Sequence, residues 1–377
     1  MERRPIVNNL SLAGTRKIEL IAKLFQDMSC EVEIISQGEV NDAHWAFYSS
    51  FQEQQRFHPD IPVLYSSSLP IRYLNGLWAS HCTLQKFKSR HKERPFDVAI
   101  VYNLKKAQIA CAIYAIHHLD LPVILEYEDD TFVNVIGMPV MGGLRSNRRI
   151  CDYRKIFKAV SGCIAASPFL LSRLPSHLPG LILRGVVGED ILGMNREGKT
   201  EKQNWVLFSG THTKSKGIEQ LINAWKIAGP PGWELHITGY GELTNALRDL
   251  AKDARSIVFH GLVDRPELVR LLCSSKICMN PHDLSQTPGN VFAFKIIEYL
   301  AAGAHVITTP MGTIDKEIER GITYLIDNNT DTIAAILKHV IRDRKWEQIA
   351  TEHVCNTYGP EAVSKKLDLL LRQVVNR

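Results

Sequence analysis

Short apolar runs alternate with amphipathic helical stretches along almost the whole chain. In the first half, Glu31-Val32-Glu33-Ile34-Ile35, Asp97-Val98-Ala99-Ile100-Val101 and Pro122-Val123-Ile124-Leu125 read as strands, and Ile18, Ile21, Leu24 and Phe25 recur on one helix face. The second half is more regular. Runs at Trp205–Phe208, Glu234–Ile237, Ser256–Phe259, Lys276–Met279 and His305–Thr308 alternate with helical segments. This alternation predicts parallel sheets covered by helices on both faces.

The pattern breaks near Leu183-Arg184-Gly185-Val186, and the polar stretch Arg196–Gln203 that follows has no apolar periodicity. The expected architecture is α/β, with two facing doubly wound, Rossmann-like domains (residues 1–184 and 185–357) separated by a cleft, and a terminal amphipathic helix over 358–377. Ligands of such sheets bind at the carboxyl ends of the strands. At 377 residues, two domains are also what length predicts.

Composition narrows the function classes. Hydrophobic residues make up 45% and charged residues 23%, as in soluble globular proteins, and no apolar run is long enough to span a bilayer. Met1–Asn9 has no secretory pattern, while the short first strand points to a true start upstream. Eight scattered cysteines without a C-x-x-C fit a reduced, cytoplasmic setting rather than a disulfide framework or zinc site. The net charge of +5 suits an anionic ligand or lipid surface, and no nucleic-acid-binding pattern accompanies it.

Candidate chemistry gathers at predicted strand ends. Phe208-Ser209-Gly210-Thr211-His212-Thr213-Lys214-Ser215-Lys216-Gly217 follows a strand and opens a helix, where free N–H groups and Lys216 suit an anion. A capped helix with solvated lysines is the bland alternative. Gly239-Tyr240-Gly241 and Phe259-His260-Gly261-Leu262-Val263 repeat the placement after the next two strands. The stretch PGNVFAFKIIEYLAAGAHVITTP reads as a helix from Gly289-Asn290 to Gly303, with Asn290, Val291 and Phe292 at its amino end facing a second phosphate. Lys295 and Glu298 share one face of this otherwise apolar helix. They form either an exposed ion pair or a ligand site in which Glu298 accepts from the two hydroxyls of a ribose. A buried carboxylate demands some such partner.

Four of these elements, in order and spacing, resemble glycosyltransferase family 4: Gly210–Ile222, Ile237–Gly241, Phe259–Val263 and Lys295–Gly303. The resemblance is strong from about Asn204 to Ile326 and looser before it. It implies the GT-B fold, a C-terminal domain holding a nucleoside-diphosphate sugar, an N-terminal acceptor-side domain and a last helix that packs back on the first domain. It further implies that Lys216 contacts the donor diphosphate, that Gly239, Tyr240 and Val263 line the donor site, and that Glu298 holds the ribose. Two departures stand out. Asn290 replaces the first of two family glutamates seven residues apart, and Thr211 stands where the family usually has arginine. Arg16, in the glycine-bearing segment Leu12-Ala13-Gly14-Thr15-Arg16-Lys17, could supply the missing cation, or could be a solvated first-turn residue.

In the first half, Glu126-Tyr127-Glu128-Asp129-Asp130 places four carboxylates at a strand end, an arrangement that calls for a cation or a task. A divalent-metal site, an exposed acidic turn, and a sugar ligand or general base formed by Glu128 or Asp129 are the readings weighed. The GT-B resemblance implies chemistry without metal or other cofactor. Gly137–Gly143 reads as a mobile cover or a plain connector. Trp78, Leu84 and the basic run Lys86–Arg94 read as a solvated helix end or a patch for anionic lipid at the inner membrane face. The resulting expectation is a retaining glycosyltransferase acting on a carbohydrate or lipid-linked acceptor in polysaccharide, glycolipid or other glycoconjugate synthesis. A silent nucleotide-sugar-binding partner protein and a GT-B epimerase or hydrolase are the alternatives.

Overall fold

The computed structural model describes residues 12–37, 47–53, 61–69, 72–128, 155–197, 200–285, 292–312 and 314–375. The chain forms two compact units, Met1–Leu183 with Val363–Arg377, and Arg184–Ala362.

In the first unit α1 (Leu12–Asp27) precedes β1 (Ile34–Ser36), β2 (Phe51–Glu53) and β3 (Val63–Tyr65), and these strands form one small sheet in the order β1-β3-β2. Here β2 pairs antiparallel with β3. Residues 54–62 are too short a link for the crossover of about a dozen residues that parallel pairing needs. After α2 (Arg72–Glu93) come β4 (Ala99–Tyr102), α3 (Lys106–His118), β5 (Val123–Tyr127), β6 (Gly162–Ala165), α4 (Pro168–Leu171) and β7 (Gly180–Ile182). Strands β4 to β7 pair parallel in sequence order. All five residues of β5 are buried, as expected for a strand covered on both faces.

The second unit runs through α5 (Glu189–Glu197), β8 (Gln203–Ser209), α6 (Ile218–Ala228), β9 (Glu234–Thr238), α7 (Thr244–Ala251), β10 (Ile257–Gly261), α8 (Arg265–Ser274) and β11 (Ser275–Asn280). It continues with α9 (Lys295–Ala301), β12 (His305–Thr308), α10 (Lys316–Glu319), β13 (Ile322–Tyr324), α11 (Thr330–Arg342) and α12 (Thr351–Tyr358). A last helix, α13 (Pro360–Val375), leads into the terminal segment of the first unit. The six strands β8 to β13 form a wholly parallel sheet in the order β10-β9-β8-β11-β12-β13.

Strand alternation builds two cores from this one sheet. Leu207, Cys278 and Val306 point into a layer with α5, α8, α9 and α12, whereas Val206, Phe208, Ile277, Met279 and Ile307 point into the opposite layer with α6 and α11. The strand order reverses between β8 and β11, which are neighbours in space though not in sequence. A crevice at the strand tips opens at such a switch point. The seven described cysteines are all free thiols, and burial pushes those of Cys111, Cys163 and Cys278 up to about 12. No helix among the described residues is long and apolar enough to cross a membrane.

Candidate functional site

The tips of β8, β9 and β10 are laced together by backbone. Gly210 N–H donates to Thr238 O (3.1 Å), Gly239 N–H to Gly261 O (2.8 Å) and His212 N–H to Tyr240 O (3.2 Å). Gly239 sits at φ +124°, and a Cβ there would lie 1.9 Å from Gly210 O. Gly239→Ala is therefore expected to lower stability by about 2–4 kcal/mol, through a forbidden φ and a backbone clash. Chemical denaturation checks this. Tyr240 (68% exposed) and Leu262 stand out from these tips, Thr211 is exposed, and Val263 is half-buried.

At the β8/β11 switch the positive groups converge. A 3₁₀ turn, Lys214–Lys216, ends at Gly217, whose φ of +67° lets Pro281 O approach where a Cβ would collide at 1.9 Å. Asp283 N–H donates to Ser215 O (2.9 Å), so the loop after β11 is fastened to this turn. That brings Lys216 Nζ to His282 Nε2 (2.7 Å). An ammonium has only protons to offer, so Nε2 accepts and the imidazole carries its proton on Nδ1. Burial, reinforced by Lys295 and Lys216, pushes the His282 pKa down to about 2, and the ring is neutral. Among the described residues, buried Nδ1 has no hydrogen-bond partner.

Lys295 opens α9 and is half-buried. Its Nζ donates to Ser209 O (3.1 Å) and lies 4.7 Å from the Phe208 ring centroid. Burial, and then the charge of Lys216, hold its pKa well below the ordinary lysine range. No carboxylate pairs with Lys295 among the described residues. Two lysines and a neutral imidazole donor around one strand tip are a site prepared for an anion.

The structure corrects the predicted helix. Helix α9 begins at Lys295 rather than Gly289, so Phe292 is not in its first turn. Arg184 lies over the Phe292 ring (5.8 Å), and a Cβ on Gly185 would meet the Phe294 ring at 2.6 Å. Both rings thus sit against the adjacent residues Arg184 and Gly185, and Phe294, at φ −44° and ψ −39°, is the cap residue just ahead of the helix. Asn290 and Val291 lie outside the described residues.

Lys295 and Glu298 do not pair either. Glu298, whose side chain is 10% exposed, has Arg265 Nη1 2.8 Å from its Oε1, a close ion pair outside hydrogen-bond alignment. Arg265, Asp190 and His282 escaped the sequence reading. The only signals were the Asp264-Arg265-Pro266-Glu267 helix start and a histidine directly after a strand end.

In the first unit Gly14 and Arg16 lie in the opening turns of α1, where Arg16 Nη1 pairs with Glu19 (2.9 Å). Lys17, one residue on, is the buried centre of this unit's polar cluster. Its Nζ touches Glu126 Oε1 (3.0 Å), donates to Leu183 O (2.9 Å) and makes a short contact with Glu128 Oε1. Burial works against its charge, but Glu126 and Glu128 more than offset that and hold the pKa above the usual lysine range. Burial, and repulsion from Glu128, push the Glu126 carboxyl well above its ordinary range against the pull of Lys17. Glu128 N–H also donates to Asn103 Oδ1 (2.8 Å), from a residue at φ +54°. The carboxylate repulsion read from the sequence is thus relieved by a lysine. Asp129, Asp130 and Gly137–Gly143 lie outside the described residues.

On α2, Leu74, Leu77 and Trp78 are exposed, and Arg90 of the basic run is engaged by Glu33 (2.7 Å) and Glu93 (2.5 Å).

Comparison with known proteins identifies the fold. The chain matches a sucrose-phosphate synthase from Thermosynechococcus elongatus with a TM-score of 0.68 at 14% identity, over 95% of this chain and 92% of the other. The fold is GT-B. The Anabaena HepE protein in complex with UDP-glucose matches at 0.64 (15% identity, 97% and 96% covered), and a UDP-GlcNAc 2-epimerase from Neisseria meningitidis bound to UDP-GlcNAc at 0.60 (14%, 95% and 96%). Residues 203–343 match the family model described as glycosyl transferases group 1. Two curated relatives are 26% identical: an uncharacterized glycosyltransferase of Methanocaldococcus jannaschii over 186 residues (48% of this chain, 45% of the relative), and an uncharacterized 41.2 kDa protein in the cps region of Klebsiella pneumoniae over 135 residues (36% and 35%). The matched region thus spans less than half the length of either curated relative.

Proposed function

We propose that this GT-B protein transfers a glycosyl group, with retention, from a UDP-sugar to a hydroxyl acceptor, without metal or other cofactor. The observation that carries the reading is the meeting of Lys216, Lys295 and His282 at the β8/β11 switch, with Glu298 one turn further along the helix that Lys295 opens. In this reading the lysines and His282 Nδ1–H receive the diphosphate, Glu298 receives the ribose hydroxyls, and Tyr240, Leu262 and Val263 border the base. As the bond from the anomeric carbon to the β-phosphate oxygen breaks, negative charge grows on that oxygen. Fixed cations around it stabilise the transition state more than the ground state. The acceptor oxygen bonds to the same face of that carbon, and its proton passes to the departing phosphate. Glu128, anchored through one oxygen by Lys17, is proposed as a ligand for a sugar hydroxyl.

The UDP and UDP-sugar complexes of structural neighbours and the cps-region relative support a UDP-sugar donor and a polysaccharide or other glycoconjugate product. A carbohydrate or lipid-linked acceptor is proposed accordingly. The exposed Leu74, Leu77 and Trp78 with the basic end of α2 are proposed as a peripheral membrane contact.

The test is UDP release from a panel of UDP-sugars with and without acceptor. Acceptor-dependent release is the expected result. Conversion of the sugar without acceptor would favour an epimerase, which the Neisseria likeness keeps in view, and binding without turnover a silent partner. UDP is expected to raise the melting temperature of wild type, and Glu298→Ala to remove most of that shift.

A further inference from the structure

The guanidinium of Arg265 occupies one oxygen of the carboxylate assigned above to the ribose, and its own orientation is fixed from behind. Arg265 is the first residue of α8, directly beyond the β10 tip. Asp264 caps that helix by accepting from Glu267 N–H (3.0 Å), and Pro266 stiffens the first turn. From there Nε donates to Asp190 Oδ2 (2.6 Å) and Nη2 to Asp190 Oδ1 (3.3 Å), a two-pronged hold that sets the plane of the guanidinium. Nη1 then lies 2.8 Å from Glu298 Oε1. Burial opposes the charge on Arg265, but Glu298 and Asp190 more than offset it, and the guanidinium stays protonated. Three helices, α5, α8 and α9, each contribute one member of the chain Asp190–Arg265–Glu298.

We propose that Arg265 is a positioning residue for the ribose carboxylate. It holds Oε1 and leaves Oε2 presented to the vicinal hydroxyls of UDP. The proposal rests on the reading of Glu298 given above. The terminal torsion of a glutamate is broad and nearly two-fold, so an unanchored carboxylate spends much of its time misaligned for a diol. Oε2 has no partner among the described residues, so once Oε1 is anchored the second oxygen is both oriented and available. Ordering the acceptor before the ligand arrives removes that cost from binding. A fork that only braced the three helices would affect melting and leave recognition of the ribose hydroxyls unchanged.

The experiment is calorimetric titration of UDP and 2′-deoxy-UDP into wild type, Glu298→Gln, Arg265→Gln and Arg265→Lys, each with its melting temperature. Wild type is expected to prefer UDP by about 10-fold or more, as for loss of a hydrogen bond to a charged group. Glu298→Gln and Arg265→Gln should each cut that preference to about 3-fold or less, with Arg265→Lys intermediate because it keeps the charge and loses the fork. A folded Arg265→Gln with the full wild-type preference would overturn the proposal. So would Arg265→Lys with that preference, should the glutamine variant not fold. Full preference in Glu298→Gln would instead remove the ribose role of Glu298, and absence of UDP binding to wild type would remove the nucleotide reading.

Discussion

Replacing Lys295 by methionine is expected to lower acceptor-dependent UDP release by about 10²–10³-fold, the usual consequence of deleting one preorganised group from a charge-stabilising site. The same substitution should leave the melting temperature unchanged or raise it. Among the described residues no carboxylate pairs with Lys295, and its amino group has the Ser209 carbonyl, the Phe208 and Tyr299 rings and a second lysine around it, so carrying a charge there is costly before a ligand binds. Methionine fills similar space without that penalty. A group that adds little to stability yet is required for turnover is held for a ligand. Steady-state kinetics beside a melting curve separates this from the bland alternative, in which Lys295 merely caps the β8 tip. In that case stability would fall and activity would follow it.

The largest expected effect on stability lies in the first unit. Lys17→Met should cost about 3–5 kcal/mol, because it strands Glu126 and Glu128 together in a buried setting. Glu126→Gln should behave oppositely. Glu126 is an acid whose folded pKa is raised, mainly by burial, so the folded state keeps a proton that the unfolded chain releases above the ordinary glutamate range. Wild-type stability therefore falls as pH climbs from that range toward the raised value. Glutamine has no such proton to lose. Urea denaturation at pH 5 and pH 8 should show the variant gaining on wild type as pH rises. A gap that stays constant would mean Glu126 is ionised throughout and that Lys17 fully balances it.

Five of the six strands of the second unit were legible because each is a short apolar run bounded by turn residues, and His305–Thr308 was read to the residue, whereas the three-residue edge strand β13 was not read. Nor was the start of α9. Periodicity counts Phe292 and Phe294 as helical apolar positions, whereas in the fold their rings sit against Arg184 and Gly185 ahead of the helix. Lys216 and Glu298 were visible through motif spacing, but their partners were not. His282 meets Lys216 because the strand order places β11 next to β8, and Arg265 meets Glu298 because α8 and α9 share one face of the sheet. Local sequence carries neither fact. Lys17 was missed for a related reason: a lysine in a helix's opening turns reads as solvated until the fold encloses it with two glutamates.

A bound nucleoside diphosphate is expected to charge Lys295 at the β8 tip, whose pKa is held low by desolvation and by Lys216. Titration calorimetry of UDP at pH 8, repeated in buffers of different ionisation enthalpy, measures this directly. One UDP should bind per chain with net proton uptake, affinity should fall as pH rises, and the uptake should vanish in Lys295→Met. Binding with no proton uptake, or with the same uptake in the methionine variant, would contradict it.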